Sequence, residues 1–204
     1  MFNRLVVNWV YGGFLAGLLI LLITPILARG WPPALLATFL CLPAYMLHQY
    51  EEHDNDRFRR FVNSNFGNGR EILSLLAVLL INVPGVWGVI AVAFWLAALF
   101  NPGFGLIAAY LLLLNAAIHI LSAAFLRGYN PGLVTGILFF VPLGAWCIIA
   151  VQQTGFGSAW MHLIGLLAAI GIHAAIAIPV ILVARAGVRR PGFTPPAAAP
   201  RGSR

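Results

Sequence analysis

After Arg4 the chain runs to Leu27 without a charged side chain, and apolar runs of comparable length recur as far as Ala184. A helix needs about 20 predominantly apolar residues to cross a bilayer. Repeated segments of this kind, with short polar joints between them, limit the possible folds more than any motif does. Composition agrees: 61% of the residues are hydrophobic and 8% charged, where a soluble domain carries roughly 25% charged residues. The expectation is an all-α polytopic membrane protein of about six transmembrane helices. Residues 1–184 form a single transmembrane domain, with no room for a separate soluble one. The first run is too long for the roughly 7–15-residue core of a signal peptide, so it is expected to stay in place as a span.

The spans are expected at about 5–27, 34–53, 71–100, 104–126, 133–151 and 159–184. Pro32 and Pro33 follow the Arg29-Gly30-Trp31 turn and suit the start of the next helix. Residues 54–69 read as the longest polar connection. Within 71–100, Asn82-Val83-Pro84-Gly85 interrupts the pattern and predicts either one kinked helix or a half-helix followed by a span. Residues 185–204, rich in Pro, Ala and Arg, read as a basic, disordered tail.

The formal charge of +7 comes from twelve arginines, with no lysine, against five acidic residues. In a soluble protein this would suggest nucleic acid. Here the arginines flank spans and report orientation, so the expected surroundings are the lipid bilayer and no nucleic acid. With six spans, Arg4, Arg57, Arg59, Arg60, Arg70, Arg127, Arg185, Arg189, Arg190, Arg201 and Arg204 share one side, and Arg29 lies opposite. The positive-inside rule makes the shared side cytoplasmic. Both termini are therefore expected in the cytoplasm, and the membrane is expected to be of the bacterial inner (plasma) type. Cys41 and Cys147 sit inside apolar runs, where a thiol acts as a small hydrophobe and no disulfide is indicated.

The five acidic residues, Glu51, Glu52, Asp54, Asp56 and Glu71, all lie within or just after the stretch His48-Gln49-Tyr50-Glu51-Glu52-His53. His48, Glu51 and Glu52 stand at i, i+3 and i+4, on one helical face, with His53 rotated away from it. Asn115, His119 and Ser122 share a face of the fourth span. By the arginine count, His48 to His53, His119 and Glu71 lie toward the cytoplasmic side, and His173 in that half or near the midplane. Ionisable groups within a bilayer usually face the bundle interior and mark function. Imidazole and carboxylate together suit Zn²⁺, Fe²⁺ or Mn²⁺, so His48, Glu51, Glu52 and His119 form a candidate metal set. A metal-free reading also exists, in which two adjacent carboxylates near a histidine divide acid and base roles. Plainer readings stand beside both. The motif beside Arg57, Arg59 and Arg60 also reads as an interfacial ion-pair cluster, and His119 and His173 as helix-to-helix hydrogen-bonding groups.

His48-Gln49-Tyr50-Glu51-Glu52, then His119, then Tyr129-Asn130-Pro131-Gly132 occur in that order. The chain thereby resembles the HXXEE family of membrane proteins, which is described by His-x-x-Glu-Glu, a further histidine and Tyr-x-Pro-Gly. The resemblance covers roughly 48–132. It implies that His48, Glu51, Glu52, His119, Tyr129, Pro131 and Gly132 belong together, and it supplies no reaction. Tyr129 is then a candidate partner for a motif carboxylate or a ligand, and Arg127 for an anionic headgroup or for Glu51 or Glu52. Two functions follow as expectations. One is a membrane-embedded, metal-dependent enzyme, hydrolytic or oxidative, acting on a lipid-like or apolar substrate with Glu51 and Glu52 as catalytic candidates. The other is a transporter or proton-coupled carrier using the same His/Glu cluster as a relay.

Overall fold

The structure, a computed structural model, describes residues 2–186. All regular structure among them is helical. In chain order the helices are α1 (Phe2–Leu27), α2 (Pro33–His53), α3 (Arg57–Asn65), α4 (Leu75–Leu99), α5 (Pro102–Leu126), α6 (Leu133–Gln153) and α7 (Ala159–Ala186). The last helix includes Arg185 and Ala186. The remainder of the expected tail lies outside the described residues.

Five helices, α1 and α4 to α7, are long and apolar enough to cross a membrane. That makes an integral membrane protein. The expected sixth, α2, is 21 residues long but gives its final turns to polar residues. Its surroundings explain the composition: α2 is packed by α1, α4, α5 and α6, so its polar end faces protein. The core lies around it. Ala37, Cys41, Ala44 and Tyr45 of α2 meet Ile90 and Ala93 of α4, Leu111 and Leu112 of α5, and Phe140 and Cys147 of α6. Small residues allow close helix approach; at Gly165 of α7 an added Cβ would stand 2.9 Å from the Leu106 carbonyl oxygen. By contrast α1 exposes Leu15, Leu19, Leu22 and Ile26.

The interruption near Pro84 does not break α4. Residues Ile81–Trp87 form a π-helical wide turn inside one continuous helix. Proline lacks an N–H and its ring clashes with the carbonyl four residues back, and a wider turn removes both problems. The same device recurs in α6, where Gly136–Phe140 is π-helical just ahead of Pro142. Helix α4 begins at Leu75, where the Ser74 hydroxyl accepts the Ala77 N–H at 3.3 Å, and so later than the expected Glu71.

The expected polar connection is instead partly helical. Arg57, Arg59 and Arg60 alternate with Phe58, Phe61 and Val62, which gives α3 one apolar and one basic face. The Arg59 Nε donates to Asp56 Oδ1 at 2.9 Å and its Nη1 to Glu71 Oε1 at 2.9 Å. The paired carboxylates, Asp56 foremost, push the Arg59 guanidinium above its usual pKa. Buried Asn63 donates to the Leu73 carbonyl at 3.0 Å and accepts from the Ile72 and Leu73 amides at 2.9 Å each. These bonds fix α3 beside the start of α4.

Candidate metal centre

Glu52, near the end of α2, holds its carboxylate among three histidines. Its Oε2 is 3.6 Å from His48 Nε2 and 3.1 Å from His53 Nε2, and its Oε1 is 3.6 Å from His119 Nε2. All four residues are buried. One ligand atom from each of His48, Glu52 and His119 lies within 4.8 Å of the others. Donors about 2.0–2.1 Å from a tetrahedral Zn²⁺ stand about 3.3 Å apart, so the 3.6 Å separations are close to what such an ion requires.

In the neutral imidazoles, hydrogen bonds on the far side of each ring decide which nitrogen is free. The Thr135 hydroxyl donates its one hydrogen to Glu51 Oε2. Its oxygen therefore accepts from His48 Nδ1, 2.9 Å away, and His48 Nε2 keeps a bare lone pair. Asn130 donates its amide to the His119 carbonyl at 2.8 Å, so its Oδ1 accepts from His119 Nδ1 at 2.6 Å. His119 Nε2 is bare as well. Both lone pairs point toward one carboxylate in a buried place, and His48 Nε2 has no hydrogen-bond partner. An outer bond that fixes the tautomer and turns the other nitrogen inward is the usual second layer of a histidine metal ligand. A two-histidine, one-carboxylate set leaves further positions open, as catalytic zinc and non-haem iron sites do.

The turn from α5 to α6 builds one wall. Gly132 has φ of +100°, and a Cβ there would stand 2.6 Å from His119 Cε1 and 2.9 Å from His48 Cε1. Only glycine lets the backbone pass this close to both rings. Glu51 belongs to the same turn and not to the metal cluster. It accepts from Tyr129 Oη at 2.9 Å, from the Val134 amide at 3.1 Å and from the Thr135 amide at 2.7 Å. A carboxylate on the first free amides of a helix is favourable, and this one ties α2 to the start of α6. Burial, and then the bond to Glu51, push the Tyr129 phenol above the usual tyrosine range.

The remaining candidates separate. His53 joins the cluster although its Cβ direction differs from that of His48, and the Trp9 and Phe58 rings flank it at 5.2 and 5.3 Å. Asn115 and His173 line a cavity of about 770 Å³ that also touches Glu52, His53 and His119. Otherwise its walls are largely apolar, supplied by α3, α4, α5 and α7, among them Phe58, Phe61, Val86, Leu111 and Val180. Exposed Leu121 and Phe125 also line it, so it opens sideways between helices. Glu71 is the Arg59 partner described above. Arg127 is exposed past the end of α5 in a left-handed conformation, with φ of +52°.

Three further residues were missed at the sequence level. Thr135 and Asn130 set the two histidine tautomers. Gln49 is fully buried; it donates to Asn82 Oδ1 at 2.8 Å and accepts from Trp87 Nε1 at 2.6 Å, which joins α2 to the wide turn of α4. Two of these three sit at the variable positions of the motifs that contain them. That placement was the available signal.

Comparison with known proteins gives one match. Residues 39–147 fit the model of a family described as protein of unknown function with HXXEE motif. No curated protein and no solved structure matches the chain.

Proposed function

Since the chain belongs to the HXXEE family, whose function is unknown, we propose a function from the site itself: a membrane-embedded, metal-dependent enzyme acting on a lipid-like or apolar substrate. The observation that carries it is the pair of bare Nε2 atoms of His48 and His119 facing the Glu52 carboxylate at the wall of an apolar cavity. A bound Zn²⁺ or Fe²⁺ would supply Lewis acidity with an activated water, or oxidative chemistry. His48, Glu52 and His119 would hold the ion. His53, 3.1 Å from Glu52, is placed to take and return a proton. Glu51, engaged by α6, positions Thr135 and through it His48. The apolar walls hold the substrate chain and keep bulk water from the centre.

The topology that accompanies this reading counts α2 as a sixth span. Its 21 residues rise about 31 Å, enough to cross a bilayer core. Arg4, Arg57, Arg59, Arg60, Arg70, Arg127 and Arg185 then share the side on which the site lies, and Arg29 lies opposite. The site and both termini face the cytoplasm by the positive-inside rule.

Metal analysis of protein purified without chelators tests the proposal. About one Zn or Fe per chain is expected in the wild type, with loss in His48→Ala and His119→Ala. Metal-free wild-type protein, or unchanged content in both variants, would sink it. Proton-coupled carriage is the weaker reading, because α4 runs through Pro84 as one widened helix. A pH-dependent flux in proteoliposomes, abolished by Glu52→Gln, would restore it.

A further inference from the structure

Helix α3 runs between the last turn of α2 and the start of α4, and lays Phe58, Phe61 and Val62 across the cavity at that end. The bonds of Arg59 and Asn63 hold it there. The Arg70 Nη2 donates to the Ala184 carbonyl at 3.0 Å, and Val180, Val183 and Ala184 pack against the cluster that contains Val62, Leu73 and Val78. The final turns of α7 are thereby held to α3 and α4. Nearer its start α7 meets α5, where Gly165 lies against Leu106 and Tyr110. The open side of the cavity lies between these two fixings. Among the described residues, those that both line the cavity and stand exposed are Phe66, Ile118, Leu121, Phe125, Ile170 and Ala177. All are apolar, and apart from Phe66 they lie on α5 and α7.

A mouth with a wholly apolar rim, between two helices long enough to cross a membrane, admits hydrocarbon in preference to a solute from water. Depth fixes which part of a lipid arrives. Along α5, Arg127 stands about 12 Å beyond His119, at about 1.5 Å of rise per residue. An arginine that closes a span reaches headgroup level, and the hydrocarbon of one leaflet is about 15 Å deep. The His119 Nε2, and the Glu52 Oε1 3.6 Å from it, therefore lie beneath the ester linkages, among chain methylenes. We propose that an acyl chain of a lipid in the surrounding leaflet enters the cavity sideways between α5 and α7, and that the His48–Glu52–His119 cluster meets this chain along its length and not at the headgroup. This deepens the reading of the cavity as a substrate site and rests on it.

Photoreactive lipids test it in nanodiscs that hold the full chain: phosphatidylcholine with a diazirine at mid-chain, hexadecanoic acid with a diazirine at mid-chain, and phosphatidylcholine with a diazirine on the headgroup. After illumination, marked residues are mapped by mass spectrometry. Val86 and Leu111 line the cavity and are 3% and 0% exposed, out of reach of lipid that stays outside. At least one mid-chain probe is expected to mark them about tenfold more than the headgroup probe, whose charge is costly to bury among apolar walls. Whichever mid-chain probe marks more strongly identifies the source as esterified or free. Leu121→Trp and Ala177→Trp, on the α5 and α7 sides of the mouth, are each expected to cut this marking about fivefold or more by crowding the entrance. Marking of exposed Leu22 on α1 stays unchanged. Unmarked Val86 and Leu111 in the wild type, equal marking by the headgroup probe, or marking unchanged in both variants would overturn the proposal. The wild-type comparison needs no variant to fold. Metal content of the same preparations separates the two ideas: a metal-free protein with marked walls refutes the metal centre alone, and a metal-loaded one with unmarked walls refutes the sideways chain site alone.

Discussion

Replacing Gly132 by alanine tests the geometry of the His48–His119 pair directly. At φ of +100° a side chain is strained by roughly 1–3 kcal/mol. The new Cβ would stand 2.6 Å from His119 Cε1, 2.9 Å from His119 Nε2 and 2.9 Å from His48 Cε1. Ordinary carbon contacts are about 3.5–4.0 Å, so the overlap is about 1 Å against two rings. Neither ring can swing aside without losing its Nδ1 bond to Thr135 or Asn130. Overpacking of this sort costs about 1–3 kcal/mol, for a total of roughly 2–6 kcal/mol. If the rings give way, the Nε2 atoms move by about 1 Å, a displacement that lowers the function of a preorganised site about a hundredfold. Zinc affinity by chelator competition and a thermal unfolding curve in nanodiscs measure both outcomes. Gly132→Ala is expected to lose about a hundredfold in zinc affinity, several kcal/mol in stability, or part of each. Gly171→Ala, where an added Cβ meets nothing within 4 Å, serves as the control. Wild-type affinity together with wild-type stability in Gly132→Ala would refute the close approach of this turn to the histidines.

Four further outcomes are expected. Thr135→Val removes the acceptor that fixes the His48 tautomer and should weaken zinc about 10–100-fold, while Thr135→Ser should restore it. Glu52→Gln should abolish metal binding; Glu51→Gln should keep the stoichiometry yet speed hydrogen exchange at the Val134 and Thr135 amides, which lose a charged acceptor. Gln49→Leu leaves Asn82 Oδ1 and Trp87 Nε1 unpaired and should cost about 2–6 kcal/mol by thermal unfolding, with a shift in tryptophan emission.

Much of the architecture could be read from the residues because lipid offers a backbone no hydrogen bonds, so long apolar runs must become helices. The pairing of His48 with Glu52 followed from the helical repeat, and the approach of His119 from its depth beneath Arg127. What stayed hidden depends on contacts distant in sequence. Glu51 and Glu52 are neighbours of one type, and only the arrival of α6 at Glu51 separates an anchoring carboxylate from a ligand-type one. Angular position alone put His53 away from its neighbours. That rule describes where a Cβ points, and a glutamate side chain is long enough to reach across. Thr135 looks ordinary until its hydroxyl is found between Glu51 and His48. Helix α3 was visible in the spacing of Phe58, Phe61 and Val62, but the adjacent arginines made the segment read as a loop.

The wide turn in α4 holds one residue more than α-helical winding would place there. Winding Ile81–Trp87 as ordinary α-helix with no residue removed would rotate everything beyond by about 100°. Trp87 would leave Gln49, and Ile90, Ala93 and Ala97 would turn away from the neighbours that bury them. Val78 before the turn and Ile81, Asn82 and Val86 within it line the cavity; beyond it, Ile90 and Ala93 serve the core. The surplus residue acts as a phase shift between two surfaces of one helix. The winding of this turn sets which face of α4 each half presents to its neighbours.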